Sequence, residues 1–370
     1  MLTPTRADTE AVIAEARRQR RRRWRTNGAR VAAAALVVTA AAVAVRLGAS
    51  GHAPGDRHRT AGRIAAVAAP MPPEIVAVTD YGQIEVVSSR TLRVIRTLAA
   101  KTGGFSGPET LAASPSGLVF YDGLTGYGET VLSVPLVGGP ARAVAPGRTP
   151  AVSPDGKLLA YVAETFSALH GEMLTGIVVR DLASGAQRTW ALPAADAYIP
   201  AMTWSPDGRH LAVTTGADPS GPVTVVLDTT APGRTLGAAR RMPLPPGVGW
   251  AGYLTARTGV GVVEAGAWPA LRTSLVEVDV RTGQVIGPLT TLRGPGLPIG
   301  DGTAGPEGTI QPDPAGRYFL IAGLGPAEKI PGQTALGAYG EIFLWTAGMR
   351  QPVPILHRFI LAIWAGAGRR

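Results

Sequence analysis

Few side chains in this sequence have the type and the spacing that catalysis or metal binding requires. The chain has five histidines and no cysteine. The histidines are His52, His58, His170, His210 and His357. No two of them lie four residues apart, and no HExxH zinc motif, GxSxG nucleophile elbow or phosphate-binding loop is present. The sequence therefore predicts no catalytic, cofactor-binding or metal-binding residue, and no cofactor.

The acids that recur in a repeated motif, Asp155 and Asp207, lie in tight turns. Each is the third residue of an SPDG tetrapeptide, Ser153–Gly156 and Ser205–Gly208. Serine, proline, aspartate and glycine in this order favour a type I turn. Because an aspartate in such a turn can accept hydrogen bonds from the backbone of its own turn, we interpret both acids as structural.

An apolar strand is predicted after each turn. The first, Lys157–Ala163, reads KLLAYVA and is apolar on both faces of the pleat. Such a strand is typical of a sheet that packs between two neighbouring sheets. Weaker copies of the turn stand at Ser114–Gly117, Ala256–Gly259 and Asp313–Gly316.

A second repeated feature is a valine-rich strand that ends in a corner and is followed by glycine in the clearer copies. The predicted corners are Ser89, Pro135, Asp181, Asp228, Asp279 and Trp345. Each corner is expected to join the last two strands of a unit. Six corners between residues 73 and 366 correspond to about 49 residues per unit, a length that suits one four-stranded propeller blade.

The two ends of the repetitive region are expected to pair with each other. Glu74–Asp80 begins the first unit with no strand before it, and Arg358–Gly366 is a strand left over after the last corner. Their pairing would leave no unpaired inner edge. The predicted fold is all-β, a six-bladed β-propeller of four-stranded antiparallel blades preceded by one N-terminal transmembrane helix. Seven blades, a solenoid and a pair of sandwiches stay open as alternatives.

The segments SPDGKLLAYVA and SPDGRHLAVTT resemble the WD-repeat-like blades of TolB-type propellers. The resemblance covers roughly residues 73–366 and is strongest in the units that hold these two segments. It implies that the turn joins the two inner strands of a blade and that the aspartate-to-glycine corner joins the two outer strands. The motif carries no catalytic residue, so the resemblance implies a fold and no functional site.

The net charge of +10 lies mainly ahead of the repeats. Of the 36 basic side chains, thirteen precede Pro73 together with four acidic ones, which leaves 23 basic and 22 acidic side chains in residues 73–370. A nucleic-acid-binding domain is expected to carry its basic patch on the fold itself. We therefore predict no nucleic-acid partner.

A membrane anchor is predicted ahead of the propeller. Val31–Val45 is an uncharged run that spans about 22 Å as a helix, against about 30 Å for a hydrocarbon core. Flanking arginines can snorkel and lengthen the span. Because the positive excess precedes the run, we predict a cytoplasmic arginine-rich tail (1–29) against anionic lipid, a signal-anchor helix (30–49), a flexible linker (50–72) and an extracytoplasmic propeller (73–370). A cleaved signal peptide and a soluble alanine-rich helix are the alternatives.

The binding surface is expected in loops, because functional variation concentrates in them. The favoured segments are ETFSALHGEM (Glu164–Met173), which contains His170 and Glu172, and the insertion Leu324–Gly340.

The predicted function is that of a non-enzymatic platform on the bacterial cell membrane for a protein, a peptide or another cell-envelope ligand. Trp204, Trp250 and Trp364 are expected in the core or along the channel. One alternative is an enzyme, such as a lyase, lactonase or glycosidase, with convergent acids over the central channel. Another is a transmembrane sensor that signals through the arginine-rich tail.

Overall fold

Short antiparallel strands joined by tight turns make up nearly all the regular structure of the chain. A computed structural model describes residues 71–79, 81–99, 108, 110–125, 128–167, 171–192, 199–216, 223–232, 235–265, 272–292, 310–313, 317–329, 336–346, 349 and 352–365.

Within those residues there are 23 strands and one short 3-10 helix, Leu236–Ala238. The strands are β1 (Glu74–Thr79), β2 (Ile84–Ser88), β3 (Val94–Ala99), β4 (Leu111–Ala113), β5 (Leu118–Thr125), β6 (Gly128–Pro135), β7 (Arg142–Val152), β8 (Leu158–Ser167), β9 (Gly171–Asp181), β10 (Gln187–Ala191), β11 (Ala201–Trp204), β12 (His210–Thr215), β13 (Val223–Asp228), β14 (Arg240–Arg241), β15 (Val248–Tyr253), β16 (Thr258–Ala265), β17 (Arg272–Asp279), β18 (Val285–Leu292), β19 (Ile310–Pro312), β20 (Tyr318–Lys329), β21 (Leu336–Thr346), β22 (Val353–His357) and β23 (Phe359–Trp364).

The strands form an all-β propeller with four-stranded blades. Sheet 1 has the order β23-β1-β2-β3, and sheets 3, 4 and 5 are the meanders β11–β14, β15–β18 and β19–β22. Sheet 2 has seven strands, β4 to β10 in sequence order. The prediction of six separate four-stranded blades is thus corrected to four separate blades and one seven-stranded sheet.

The cause of the long sheet is strand β7, which has no break between its two halves. Its first half pairs with β6, where Pro146 faces Thr130, and its second half pairs with β8, where Gly147 faces Ala163. The outer strand of one four-stranded group therefore continues directly as the inner strand of the next group. We call β4 to the first half of β7 the first half of sheet 2, and the remainder its second half.

The predicted pairing of the two ends of the repetitive region is confirmed. Strand β23 lies antiparallel to β1, with Ile75 opposite Trp364 and Val78 opposite Leu361. The last strand of the described chain is thus the innermost strand of the first sheet, and sheet 1 draws on both ends of the repetitive region.

The core lies between the sheets. The described residues contain six clusters of buried apolar side chains, each shared by two successive four-stranded groups, and the cluster around Leu320 and Trp364 joins sheet 5 back to sheet 1. Strand β8 contributes Val162 to the cluster on one side and Leu159 to that on the other, so the prediction of a strand buried on both faces is confirmed.

Arginines on the outer strands connect neighbouring sheets. In three places within the described ranges, a guanidinium donates to the backbone carbonyl of the residue that follows a corner in the next four-stranded group. The pairs are Arg96 with Leu136 (2.8 Å), Arg188 with Thr229, and Arg240 with Val280 (3.3 Å). A hydrogen bond from a charged donor contributes more than a neutral one, so these contacts help to fix the position of each sheet against the next.

The meander order gives the ring two different sides. The turns between first and second strands and the corners between third and fourth strands lie on one side, which we call the turn face. The hairpins between second and third strands lie on the other side, which we call the hairpin face. The predicted tail, the transmembrane helix and nearly all of the linker fall outside the described residues. Within the described ranges, no helix is long and apolar enough to cross a membrane.

Candidate functional site

The SPDG aspartates of the turn face are held by their own turns. In the first turn the Gly156 N–H donates to the Ser153 carbonyl at 2.8 Å. The Asp155 carboxylate accepts from the Ser153 hydroxyl at 2.7 Å and from the Lys157 N–H at 3.1 Å. Asp207 makes the same contacts with Ser205 and Arg209. The predicted structural role of both acids is confirmed.

The corner aspartates are held in the same way. Backbone and hydroxyl donors of Ser184 lower the pKa of Asp181, and those of Thr282 lower the pKa of Asp279. The Thr230 hydroxyl, with its backbone N–H and Arg209, lowers the pKa of Asp228 from 3.8 to about 2. These acids are therefore fixed in the charged form by donors next to them in the chain, as structural corners require.

The predicted corners all join the third and fourth strands of a group, but two of them are displaced by one residue. The backbone bond that closes the corner runs from Leu92 N–H to Ser88 in sheet 1, and β21 ends at Thr346 in sheet 5. The corners are thus Ser88 and Thr346, not Ser89 and Trp345.

The three tryptophans chosen from the sequence lie on innermost strands and are buried, which confirms a core position. Trp204 donates its indole N–H to the Ala151 carbonyl at 3.0 Å, and Trp250 donates to the Thr203 hydroxyl at 3.0 Å. Both bonds reach the innermost strand of the preceding group. The Trp364 Nε1 is buried and has no hydrogen-bond partner among the described residues. The three indoles therefore pack between neighbouring sheets. Because the described residues bury them almost completely, none presents a ring face to a ligand.

Buried charges collect on the hairpin face where β7 passes between the halves of sheet 2. Glu129 and Glu164 are 6% and 7% exposed. The Glu129 N–H donates to Glu164 Oε2 at 3.1 Å, and the Arg148 guanidinium lies 3.6 Å from Glu129 Oε2. Asp122, also buried, accepts the Thr110 N–H at 2.9 Å. We call Glu129, Arg148 and Glu164 the seam cluster.

The seam cluster brings together two acids from different strand groups, as the enzyme alternative required. Arg148 forms an ion pair with Glu129, and Glu164 accepts a backbone N–H; breaking a buried ion pair costs several kcal/mol, about 3–5. We therefore assign the cluster to the joint between the halves of sheet 2. Glu129 and Arg148 were not predicted from the sequence, because residues on separate strands leave no spacing signal.

The predicted loop Glu164–Met173 is largely a β-hairpin. Strands β8 and β9 run to Ser167 and from Gly171, so only residues 168–170, including His170, fall outside the described chain. The insertion Leu324–Gly340 likewise contributes to β20 and β21, and residues 330–335 lie outside the described chain. Both expected loops are thus extensions of strand pairs.

Among the residues that the structure describes, the two extended hairpins are the main asymmetry of the hairpin face. Strands β8 and β9 have 10 and 11 residues, and β20 and β21 have 12 and 11, whereas β12 and β13 have 6 each. At about 3.3 Å per residue, the longer pairs exceed β12 and β13 by roughly 13–20 Å, and they exceed the 8-residue strands β5, β6, β16 and β17 by roughly 7–13 Å.

The histidines that the structure describes stand apart. His210 begins β12, and the His357 ring lies 3.4 Å from Glu341. His52, His58 and His170 lie outside the described residues. Within the described part of the chain, no three histidine, aspartate or glutamate side chains are grouped so that they could hold a metal ion.

Comparison with known proteins gives a fold. No protein-family model and no curated protein matches the sequence. The structure is similar to TolB from Acinetobacter baumannii, with a TM-score of 0.55 and 15% identity over 79% of this chain, which spans 66% of that protein. It is also similar to a putative TolB from Agrobacterium tumefaciens (TM-score 0.47, 14% identity, 79% of this chain and 91% of that one) and to the tricorn protease (0.45, 10%, 80% and 29%). At this identity the likeness to TolB shows that the chain has the fold of a TolB-type β-propeller, and it leaves the ligand undefined.

Proposed function

We propose that this protein is a membrane-anchored, extracytoplasmic β-propeller that acts as a non-enzymatic binding platform for a protein, a peptide or a cell-envelope ligand. Residues 30–49 serve as the anchor, residues 1–29 as a cytoplasmic tail, and residues 50–72 as the linker. The order of arginine run and apolar run supports this topology.

The two halves of sheet 2 are proposed to act as two blades, which gives a ring of six blade equivalents. Two observations support this. Strand β7 pairs with a different neighbour in each of its halves, and buried apolar clusters occur at six joints around the ring.

The observation that carries the proposal is the difference between the two faces. On the turn face, the carboxylates of the recurrent acids stay charged and accept hydrogen bonds from donors in their own turns. On the hairpin face, the strand pairs β8–β9 and β20–β21 project beyond the described equivalent strands of the other groups by two or more residues per strand. A binding platform needs such a projecting surface and needs no activated acid or base. The contacts of the seam cluster agree with this, because Glu129 is paired with Arg148 and Glu164 accepts a backbone N–H.

The binding face can be tested in cells that express the full chain. A photo-crosslinking amino acid is placed at Thr165, which is exposed on the β8–β9 hairpin, and as a control at Ala183, which is exposed at a corner of the turn face. We expect a discrete crosslinked species from position 165 only. Replacement of residues 165–173 by Asn-Gly should remove crosslinks from a probe at Thr175, also exposed on this hairpin. Equal products from positions 165 and 183 would refute the assignment.

Anchoring is tested separately by alkaline extraction of membranes. We expect the full chain to stay in the membrane pellet and a chain without residues 30–49 to be lost from it. Recovery of the full chain in the soluble fraction would refute the anchor and leave the test of the hairpin face intact.

A further inference from the structure

The corner of sheet 1 closes with the same backbone bond as two other corners but has different side chains. In sheets 2 and 4, Gly185 and Gly283 donate to the carbonyls of the corner aspartates Asp181 and Asp279, at 2.9 and 2.8 Å. In sheet 1, the Leu92 N–H donates to the Ser88 carbonyl at 2.8 Å. A serine thus replaces the aspartate, and a leucine replaces the glycine.

This leucine adopts a backbone conformation that suits glycine. Leu92 has a φ of 55°, close to the 74° and 70° of the two equivalent glycines. L-residues other than asparagine and aspartate seldom occupy this region, because Cβ crowds the backbone. Burial of the leucine side chain does not offset that strain, since 41% of Leu92 is exposed. A strained and exposed leucine is better explained by a contact outside the described fold.

The residues around Leu92 are basic and apolar. Arg90 and Arg93 are exposed on either side of it. Val94 and Ile95 follow on β3 and are 50% and 45% exposed. The corners of the second half of sheet 2 and of sheets 3 and 4 each carry an aspartate, whereas this corner carries two arginines and no acid.

The patch continues onto the adjacent corner of sheet 2. The bond from Arg96 to the Leu136 carbonyl holds that corner beside β3, and the next residue, Val137, is 84% exposed. We call Arg90, Leu92, Arg93, Val94, Ile95 and Val137 the corner patch. Four of its members are large apolar residues with at least two-fifths of their surface exposed.

The chain joins the propeller at the same corner. The Ser89 hydroxyl donates to the Pro72 carbonyl, and the Ser89 N–H donates to the Pro73 carbonyl. The segment between the proposed anchor and Met71 is about 20 residues, which for a flexible chain corresponds to an average span of roughly 25 Å. The corner patch therefore lies where the chain that leads from the proposed anchor enters the propeller, within about one linker span of the bilayer.

We propose that the corner patch rests on the lipid surface, with its two arginines at anionic headgroups and Leu92, Val94 and Ile95 at the headgroup–acyl boundary. This inference rests on the anchoring proposed above. An added β-strand is a weaker alternative, because β3 has two register shifts against β2, and such bulges protect an edge from strand addition. In this orientation the turn face tilts toward the membrane and the hairpin face points away from it.

The absence of cysteine makes a direct test possible, since a single introduced thiol is labelled uniquely. The full chain carrying Val94→Cys, or as a matched control Ala183→Cys at the corner of another group, is labelled with an environment-sensitive fluorophore. Each is reconstituted in vesicles of phosphatidylcholine and phosphatidylglycerol that contain a spin-labelled lipid. We expect several-fold stronger quenching at position 94 than at position 183.

Two further variants separate lipid contact from folding. Arg90→Glu combined with Arg93→Glu should abolish the excess quenching at position 94. Leu92→Gly should reduce it while raising the thermal midpoint, because glycine suits this backbone. Equal quenching at both positions in chains that resist alkaline extraction would overturn the proposal alone. Extraction of the unmodified chain from the vesicles would refute the anchor and this proposal with it.

Discussion

Replacement of Gly147 by alanine should destabilise the propeller strongly. Gly147 is the residue of β7 at which pairing passes from β6 to β8, and its φ is 141°. A Cβ built at this position would lie 2.2 Å from the Val162 carbonyl oxygen and 3.2 Å from the Tyr161 ring. The oxygen cannot move aside easily, because Val162 is fully buried in β8 and that strand is paired on both sides.

The size of the effect follows from two terms. A residue with a side chain held at this φ costs about 1–3 kcal/mol. Forcing a methyl group into a packed site costs about 1–3 kcal/mol more. The sum, about 2–6 kcal/mol, is comparable to a large part of the stability of a typical domain, about 5–15 kcal/mol. At about 2.1 cal/mol/K of unfolding entropy per residue, the roughly 294 residues of the repetitive region give about 1.6 °C per kcal/mol, so a decrease of roughly 3–10 °C in the thermal midpoint is expected.

Gly139→Ala is the matched control. Gly139 has a nearly equal φ of 134°, but a Cβ there would make only ordinary contacts with Pro135, at 3.7 and 3.8 Å. The control therefore includes the backbone strain without the collision. Thermal unfolding of the purified full chain, followed by tryptophan fluorescence, should place the midpoint of Gly147→Ala several degrees below that of Gly139→Ala. Equal midpoints would show that the β7 crossover is not the tight contact described above.

Three other substitutions test the contacts between and within the sheets. Trp204→Phe should lower the free energy of urea unfolding by about 1–3 kcal/mol, because it removes the hydrogen bond to the Ala151 carbonyl. Trp364→Phe should lower it less, because the Trp364 indole N–H has no acceptor among the described residues. Equal losses would argue against a stabilising role of the indole hydrogen bonds. Arg188→Met should lower the midpoint of urea unfolding, since it removes the hydrogen bond to the Thr229 carbonyl at the next corner. The control Arg257→Met, at an exposed arginine, should leave the midpoint unchanged. Similar midpoints for the two variants would contradict a connecting role of Arg188. Asp228→Asn should reduce the dependence of the unfolding free energy on pH between about 2 and 4. Because the folded-state pKa of Asp228 is lowered from 3.8 to about 2, its charge contributes stability that is full above about pH 4 and is lost as the pH falls through about 2. An unchanged pH dependence in that range would refute this role.

Local chemistry made much of the fold predictable from sequence. Serine, proline, aspartate and glycine specify their turn through bonds within a few residues, so Ser153–Gly156 and Ser205–Gly208 were placed correctly. The corners at Asp181, Asp228 and Asp279 were placed correctly for the same reason. The pairing of β1 with β23 followed from a count of strands.

Features that depend on distant residues were not predictable in this way. The continuity of β7 depends on Gly147 and Thr149, which take positive φ values inside a strand, and sequence periodicity carries no sign of that. The polar segment after Glu164 suggested a loop, but cross-strand pairing of Glu164 with Leu174 and of Thr165 with Met173 extends the hairpin. Glu164 itself is buried against the seam rather than displayed to a ligand.

The closure of sheet 1 imposes an order on folding. The strand partner of Ile75 is Trp364, which is synthesised about 290 residues later. Until then one edge of β1 has no partner, and its fully buried valines and isoleucine present an apolar edge to any strand nearby. Closing so long a loop is slow, so the last step of folding is expected to be the docking of β23. A chaperone that shields the edge of β1 would therefore raise the yield of this protein more than one that acts on any of its later sheets.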